Sequence, residues 1–228
     1  MDNRLIVALD TVDADRARLW ADAVGAHAGL LKLGLEFFLA NGAAGVAGIT
    51  GAPIFLDLKL HDIPNTVAGA VRAVLPLKPA MLTIHAAGGP AMIKAARQAA
   101  DSAGVDRPMI LAVTVLTSLD ESDLHATGIA ATPAEQVLRL GRLAADCGAD
   151  GLVCSPLEVA MLRQALPPAV KLVVPGIRPT GSATGDQARI MTPAQAVAAG
   201  ADWIVVGRPI TAAANPAAAA ADIAAAIR

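Results

Sequence analysis

Eight short apolar segments recur along the chain, and this repeat constrains the fold more than any other feature of the sequence. Most are rich in Val, Ile and Leu, which is typical of strands buried on both faces of a parallel sheet. The segments are Leu5–Leu9, Leu30–Leu33, Ile54–Leu58, Met81–His85, Met109–Val115, Leu152–Cys154, Leu172–Val174 and Trp203–Val206.

Stretches of helical composition lie between the apolar segments. Several have Pro near the first turn, and many are followed by Gly just before the next strand. They are Ala14–Ala26, Pro64–Leu75, Pro90–Ala103, Pro133–Asp146, Leu157–Ala165, Thr192–Ala198 and Pro216–Ile227. Eight strands alternating with helices predict an α/β fold, a closed (β/α)8 TIM barrel that forms one catalytic domain over residues 1–228.

Two similar segments of the sequence indicate that one structural unit is repeated. The segment Cys147–Val153 resembles Ala199–Val205, and both have the pattern of a helix end, a turn and the start of a strand. Two βα units separate them, as expected if the same unit recurs around a barrel.

Composition narrows the range of partners. The formal net charge of −2 and an aromatic content of 2%, with no Tyr, argue against binding to nucleic acid or to an acidic membrane. The N-terminal residues pass directly into a strand without a signal-peptide pattern, so we expect a cytoplasmic protein. Cys147 and Cys154 lack the spacing of a disulfide framework or a metal site, and we expect two small buried side chains.

The most informative segment is the third predicted strand and its continuation, Phe55–Thr66. Side chains of a strand alternate between its faces, so Asp57 and Lys59 share one face while three leucines occupy the other. The leucines suit the layer against the helices, which leaves the two charged residues in the lumen near its top. Buried charges there require partners.

Charged residues in neighbouring strands predict those partners. Asp10 ends the first strand, Lys32 interrupts the second, and Asp62 follows the end of the third. The carboxyl ends of barrel strands carry the chemistry of this fold. An ion-pair network built for packing alone would explain one such pair, but five groups at strand ends favour an active site.

Two further strand ends carry residues suited to a phosphate. Gly207 lets the backbone approach an anion, and Arg208 offers a planar fork of donors directly after the last strand. Residues 177–189 follow Pro175 and are rich in Gly, Ser and Thr, a composition typical of a mobile lid. Arg178 and Gln187 are the polar groups of this loop that could close on a ligand.

Thr117 and Ser118 follow the fifth strand, where their hydroxyls could bind a polar ring or simply finish the strand. No group of His, Asp, Glu or Cys has the spacing of a metal site, and we expect neither metal nor cofactor.

Together these residues resemble the orotidine 5′-phosphate decarboxylase family in its bacterial form, over essentially the whole chain. The most specific match is Asp57–Thr66, which carries an Asp-x-Lys-x-x-Asp signature. The resemblance implies a metal- and cofactor-free decarboxylation of orotidine 5′-phosphate to uridine 5′-phosphate in pyrimidine synthesis.

The resemblance also implies roles for individual residues. Lys59 would protonate C6 of the pyrimidine, and Asp57 would lie beside the departing carboxylate. Asp10 and Lys32 would bind ribose hydroxyls and complete the charge network, and the implied catalytic residues are Lys59, Asp57, Asp62 and Lys32. Asp62 and Thr66 would reach the partner's site in a homodimer. The other implied substrate-binding residues are Thr117, Ser118, Pro175, Arg178, Gln187, Gly207 and Arg208.

Three alternatives remain open at this point. A related barrel enzyme uses the same signature with Mg²⁺ on a sugar phosphate and would be sensitive to a chelator. A Schiff-base aldolase would use Lys59 or Lys32 as its nucleophile and could be trapped with borohydride. A non-catalytic nucleotide-binding protein would bind uridine 5′-phosphate without releasing CO2.

Overall fold

Eight parallel strands close into one barrel in the order of the chain in the computed structural model, which describes residues 3–179 and 191–227. Each strand pairs with the next, and the last returns to the first through the register Leu5↔Ile204. The strands are β1 Leu5–Ala8, β2 Leu30–Gly34, β3 Ile54–Leu60, β4 Met81–His85, β5 Met109–Val113, β6 Gly151–Val153, β7 Lys171–Val174 and β8 Trp203–Val206. The predicted (β/α)8 barrel is confirmed.

Helices connect consecutive strands, and several begin with a capping side chain followed by Pro. Thr132 and Thr192 each cap a helix whose first residue is Pro, where the missing N–H costs no hydrogen bond. The helices are α1 Ala14–Val24, α2 Leu35–Ala47, α3 Pro64–Val74, α4 Gly89–Asp101, α5 Glu121–Ala126, α6 Pro133–Asp146, α7 Val159–Ala165, α8 Pro193–Ala199, α9 Arg208–Thr211 and α10 Pro216–Ala225.

Helices α2, α5 and α9 were not among the predicted helical stretches. In α2, glycines lower the helix propensity and no side chain caps the start. Gly42 has φ 59° and ψ −161°, so a non-helical residue divides the helix into two parts. The other two helices are only six and four residues long, too short to show a helical period.

The strands separate two apolar layers. Leu56, Leu58 and Leu60 pack in the larger layer between barrel and helices, as their alternation predicted. Phe55, Met81 and other lumen side chains form a second cluster on the barrel axis. This inner cluster closes the lumen from one end and leaves the carboxyl ends of the strands open, which is where this fold places its chemistry.

The repeated Gly-Ala-Asp turns form two similar tethers at the amino ends of β6 and β8. Asp150 N donates to Ile110 O at 2.9 Å and its carboxylate accepts from Ile110 N at 2.8 Å. Asp202 makes the same pair of bonds with Leu172, at 2.9 and 2.8 Å. Gly148 and Gly200 precede them with φ of 85° and 112°, a backbone that favours glycine.

Arginines from the helices complete both tethers. Arg97 Nη1 donates to Gly148 O at 2.9 Å, and Arg163 Nη2 donates to Gly200 O at 2.8 Å. Arg107 additionally donates to both carboxylate oxygens of Asp150 at 2.8 and 2.7 Å. The similarity of the two segments therefore reflects a recurring way of joining one strand to the next.

Cys147 and Cys154 are both free and buried, as expected. Within residues 3–179 and 191–227, every helix is too short or too polar to cross a membrane.

Candidate active site

Two adjoining cavities open at the carboxyl ends of the strands. An inner cavity of about 160 Å³ lies over β3, β5 and β6, and an outer cavity of about 400 Å³ lies over β1, β7 and β8. Lys32, Asp57, Pro175 and Val205 line both, so the two cavities form one continuous site. The remaining lining residues are Phe55, Lys59, Val113, Val115, Leu116, Thr117, Val153 and Cys154 on the inner side, and Ala8, Asp10, Gly176, Ile177, Arg178, Gly207 and Arg208 on the outer side.

A row of alternating charges crosses this site. Lys32 Nζ donates to Asp10 Oδ1 at 2.9 Å and lies 3.7 Å from Asp57 Oδ2. Lys59 Nζ donates to the same Asp57 Oδ2 at 2.8 Å. Of the five charged residues predicted to converge, these distances bring together Asp10, Lys32, Asp57 and Lys59, whereas Asp62 is not part of the row.

Asp57 lies at the centre of this row. Its side chain is only 14% exposed. Burial alone would raise the pKa of its carboxyl, but Lys32 and Lys59 together with hydrogen bonds from Lys59 and Thr83 lower the pKa below its usual range. The site therefore holds a fixed carboxylate at neutral pH.

The backbone of Lys59 departs from a regular strand. Its φ of 50° lies in the left-handed region, where a residue with a Cβ costs about 1 kcal/mol or more. The β3–β4 register shifts between Leu56 and Leu60. Such bulges re-aim a side chain beside an active site. Here the bulge accompanies the placement of the Lys59 ammonium over Asp57.

The inner cavity is an apolar slot with a polar end. Its wall carries Val113, Val153 and Val205. Its polar groups come from Lys32, Asp57, Lys59 and Thr117. Cys154 is 1% exposed, and burial raises the pKa of its thiol well above the usual range. The thiol is therefore neutral and adds to the apolar side of this cavity.

The outer cavity is polar and contains the predicted phosphate residues. Gly207, Arg208, Arg178 and Pro175 all line it. A Cβ placed on Gly207 would lie 3.5 Å from Asp10 Oδ2, so glycine leaves the floor of this cavity open beside that carboxylate. Arg178 N donates to Met191 O at 3.0 Å, which anchors the first part of the predicted lid.

Some predicted site residues lie elsewhere. Asp62, Thr66 and Ser118 are exposed and line neither cavity. Gln187 and the part of the predicted lid from residue 180 onward lie outside the described residues.

His85 lies at the end of β4, with its ring centroid 5.3 Å from that of His61. Burial lowers the pKa of His85, and His61 and Lys59 lower it further against an opposing effect of Asp57. This environment makes the neutral imidazole the stable form of His85.

Sequence reasoning missed several residues that shape the site. Thr83 Oγ1 donates to Asp57 Oδ1 at 3.0 Å, and Val153, Cys154 and Val205 form the apolar wall. Alternation along the predicted strands would have placed Thr83, Val153 and Val205 in the lumen. In the part of the chain that the structure describes, no group of three or more His, Cys, Asp or Glu side chains is arranged to hold a metal ion.

The fold and the site together define an α/β-barrel enzyme in which a row of lysines and carboxylates joins an apolar slot to an arginine-lined mouth. The model of the orotidine 5′-phosphate decarboxylase / HUMPS family matches residues 3–223. The chain belongs to this family.

Named relatives agree with the family match. The orotidine 5′-phosphate decarboxylase of Gluconobacter oxydans is 58% identical over 217 residues, covering 93% of this chain and 92% of that protein. The enzyme of the same name from Paramagnetospirillum magneticum is 53% identical over 226 residues, covering 96% of each.

A solved structure agrees as well. The crystal structure of orotidine 5′-phosphate decarboxylase from Lactobacillus acidophilus superposes with a TM-score of 0.88 at 38% identity, covering 99% of both chains. These matches extend over the strands and loops that carry the site, so they concern the whole barrel.

Proposed function

We propose that this chain converts orotidine 5′-phosphate to uridine 5′-phosphate and CO2, a step of pyrimidine synthesis, with Lys59 as the proton donor. Family membership and relatives of that name carry the choice of reaction. The observation that carries the residue assignment is the Lys59 ammonium, held 2.8 Å from Asp57 in the inner cavity.

The chemistry requires a cation at the reacting carbon. When the bond between C6 and the carboxylate breaks, CO2 leaves and the electron pair stays on C6, which has no adjacent electron sink. A fixed ammonium stabilises this developing negative charge, and Lys59 then delivers a proton to C6. Lys59 becomes a neutral amine and regains its proton from solvent.

The other charged residues would prepare the site for this step. Asp57 would lie beside the substrate carboxylate and hold the ammonium of Lys59 in place. Lys32 and Asp10 join the row from the outer cavity, where they could bind ribose hydroxyls. The charges are in position before the substrate arrives, so little reorganisation is needed during the reaction.

The outer cavity is the proposed phosphate site. Arg208 and Gly207 follow β8, and Arg178 and Pro175 follow β7, the two strand ends that most often bind phosphate in this fold. Gln187 is proposed to close over the same group, and Thr117 to contact the ring in the slot. Binding energy from the remote phosphate can then support closure around the reacting carbon.

We also propose a homodimer in which Asp62 and Thr66 complete the partner's site. Both are exposed at the mouth of the barrel, and Ile63 between them is 68% exposed. Their exposure leaves both side chains accessible to a second subunit. We expect Asp62→Ala to lower turnover in its homodimer. Mixing it with an inactive Lys59→Ala chain should restore part of the activity if sites are shared between subunits.

The proposed reaction is independent of metal and cofactor and takes place in the cytoplasm. The decisive experiment is a spectrophotometric assay of purified protein with orotidine 5′-phosphate in the presence of EDTA. We expect turnover equal to that without the chelator. Loss of activity that added Mg²⁺ restores would instead support the metal-dependent alternative, and binding of uridine 5′-phosphate without turnover would support a non-catalytic protein.

A further inference from the structure

Thr83 lies opposite the irregular part of β3. The register pairs Leu56 with Leu82 and Leu60 with Ile84, so the three residues 57–59 face Thr83 alone on β4. Leu82 and Ile84 pack in the outer layer, and Thr83 is therefore on the lumen side. It is fully buried, at 0% exposure.

The hydroxyl of Thr83 joins the two reactive residues. Lys59 N donates to Thr83 Oγ1 at 2.8 Å, and Thr83 Oγ1 donates to Asp57 Oδ1 at 3.0 Å. The directions are fixed, because an amide can only donate and an ionised carboxylate can only accept. At the bulge, the Lys59 amide has the Thr83 hydroxyl as its acceptor in place of a backbone carbonyl of β4. The same hydroxyl also orients the carboxylate of Asp57.

This arrangement divides the carboxylate of Asp57 between two tasks. Oδ1 is tied to Thr83, and Oδ2 is directed at the ammonium groups of Lys59 and Lys32, 2.8 and 3.7 Å away. The same hydroxyl holds the amide of Lys59 while its backbone has φ of 50°. A change at Thr83 would therefore move both reactive groups without touching the substrate.

We propose that Thr83 is the positioning residue that sets the geometry of Asp57 and Lys59 for the transition state. The inference rests on the proposed decarboxylase function. Thr83 lines neither cavity, so it acts only through the two residues that it contacts.

The test compares Thr83→Val, which removes the hydroxyl, with Thr83→Ser, which keeps it. We expect Thr83→Val to lower kcat by about 10- to 100-fold, the range expected when reacting groups are slightly misplaced. KM and the Kd for uridine 5′-phosphate should stay within about threefold, because the groups that grip the ligand remain in place. Thr83→Ser should restore kcat to within about threefold of the parent.

Thr114→Val is the matched control. Thr114 is 4% exposed and its hydroxyl donates to Val153 O at 3.2 Å, but it contacts neither Asp57 nor Lys59. We expect parental kcat, which separates the effect of losing a buried hydroxyl from that of losing this one. If Thr83→Val does not fold, Thr83→Cys replaces it, since a thiol is a weak donor and acceptor.

Parental kcat in Thr83→Val would overturn the inference, as would an equal loss in Thr83→Ser or a rise in KM that accounts for the whole effect. These outcomes are distinct from failure of the proposed function, in which the parent protein itself would not turn over orotidine 5′-phosphate.

Discussion

Lys32 Nζ donates a hydrogen bond to Asp10 Oδ1 across 2.9 Å, and the two side chains differ greatly in exposure, 11% for Lys32 and 60% for Asp10. Lys32 also lies 3.7 Å from the buried Asp57. The worth of an ion pair depends on how far its members are removed from water. The two ends of this pair should therefore respond differently to mutation.

We expect Lys32→Met to lower the free energy of unfolding by about 1–3 kcal/mol, because it deprives a buried carboxylate of one cation. Asp10→Asn should cost less than about 1 kcal/mol, since Asp10 is solvated. Urea denaturation of the ligand-free protein measures both. Equal losses would show that Asp57 does not depend on Lys32 for charge compensation.

Lys59→Ala should reduce turnover by at least about 100-fold, the lower range for loss of a general acid. Affinity for uridine 5′-phosphate should change far less, because the residues proposed to bind phosphate and ribose remain. Stopped assays and ligand titration provide the two measurements. Turnover close to that of the parent would exclude Lys59 as the proton donor.

Lys78→Ala is the control for this experiment. Lys78 has φ of 48°, similar to Lys59, and pairs with Asp106 at 2.8 Å, but its side chain is 70% exposed. The variant therefore removes a surface lysine that has a similar backbone conformation and also pairs with a carboxylate. Its turnover should match that of the parent.

Arg208→Ala should weaken binding of uridine 5′-phosphate by about 10- to 100-fold, the value of a charge-assisted hydrogen bond. Binding of uridine, which lacks the phosphate, should change little. Arg139→Ala, which removes an exposed arginine of α6, is the control for net charge. Equal losses for nucleotide and nucleoside would contradict a phosphate-binding role.

Acid should destabilise the protein through His85. Burial and the nearby His61 and Lys59 hold the pKa of His85 below its usual range. The unfolded chain therefore takes up a proton as the pH falls below about 6.5, while the folded chain does so only at lower pH. The contribution of His85 to stability is complete above this pH and is lost below it.

The pKa of Asp57 is also lowered, against the effect of its burial, by Lys32 and Lys59. Its contribution is lost only below about pH 4, which separates the two groups. We expect Tm to fall between pH 7.5 and 5.5 in the parent and to fall less in His85→Asn. His125→Asn, at an exposed position of α5, should retain the parental slope. If the Tm of His85→Asn falls with pH as steeply as that of the parent, His85 is not the group that destabilises the protein in acid.

Asp150→Asn should lower the free energy of unfolding by about 1–3 kcal/mol, because it weakens the bonds from Arg107 and Ile110 to a carboxylate that is 14% exposed. Asp101→Asn is the control. Asp101, like Asp150, pairs with Arg97 and Arg107, but its side chain is 47% exposed. Its replacement should therefore lower the free energy of unfolding by less than about 1 kcal/mol. Calorimetry compares them, and a similar cost for both would contradict a tether at Asp150.

The alternation along each strand, and the meeting of charged residues at the strand ends, could be read from the sequence. Contacts that depend on the local register between two strands could not. Alternation correctly placed Leu56 and Leu58 outside the barrel and Asp57 inside. The role of Thr83 depends on the register shift between β3 and β4, and a lone Thr in an apolar strand gives no sign of it. The left-handed backbone of Lys59 was equally hidden, since lysine carries no preference for it.

Helix α2 was missed for a different reason. Its glycines argued against a helix, and residues of the barrel wall supply the packing that stabilises it in spite of its low propensity. Phe37, 1% exposed, shows how firmly that face is buried. Tertiary contacts of this kind have no local signature.

The tethers at Asp150 and Asp202 lie at the amino ends of the strands, whereas Lys59 and Arg208 lie at the carboxyl ends. These hydrogen bonds thus stabilise the end of the barrel opposite the candidate active site. Loops at the open end can lengthen, shorten or change sequence without loosening the strands beneath them. Related proteins can therefore differ in substrate while they keep the same hydrogen bonds at the amino ends of the strands.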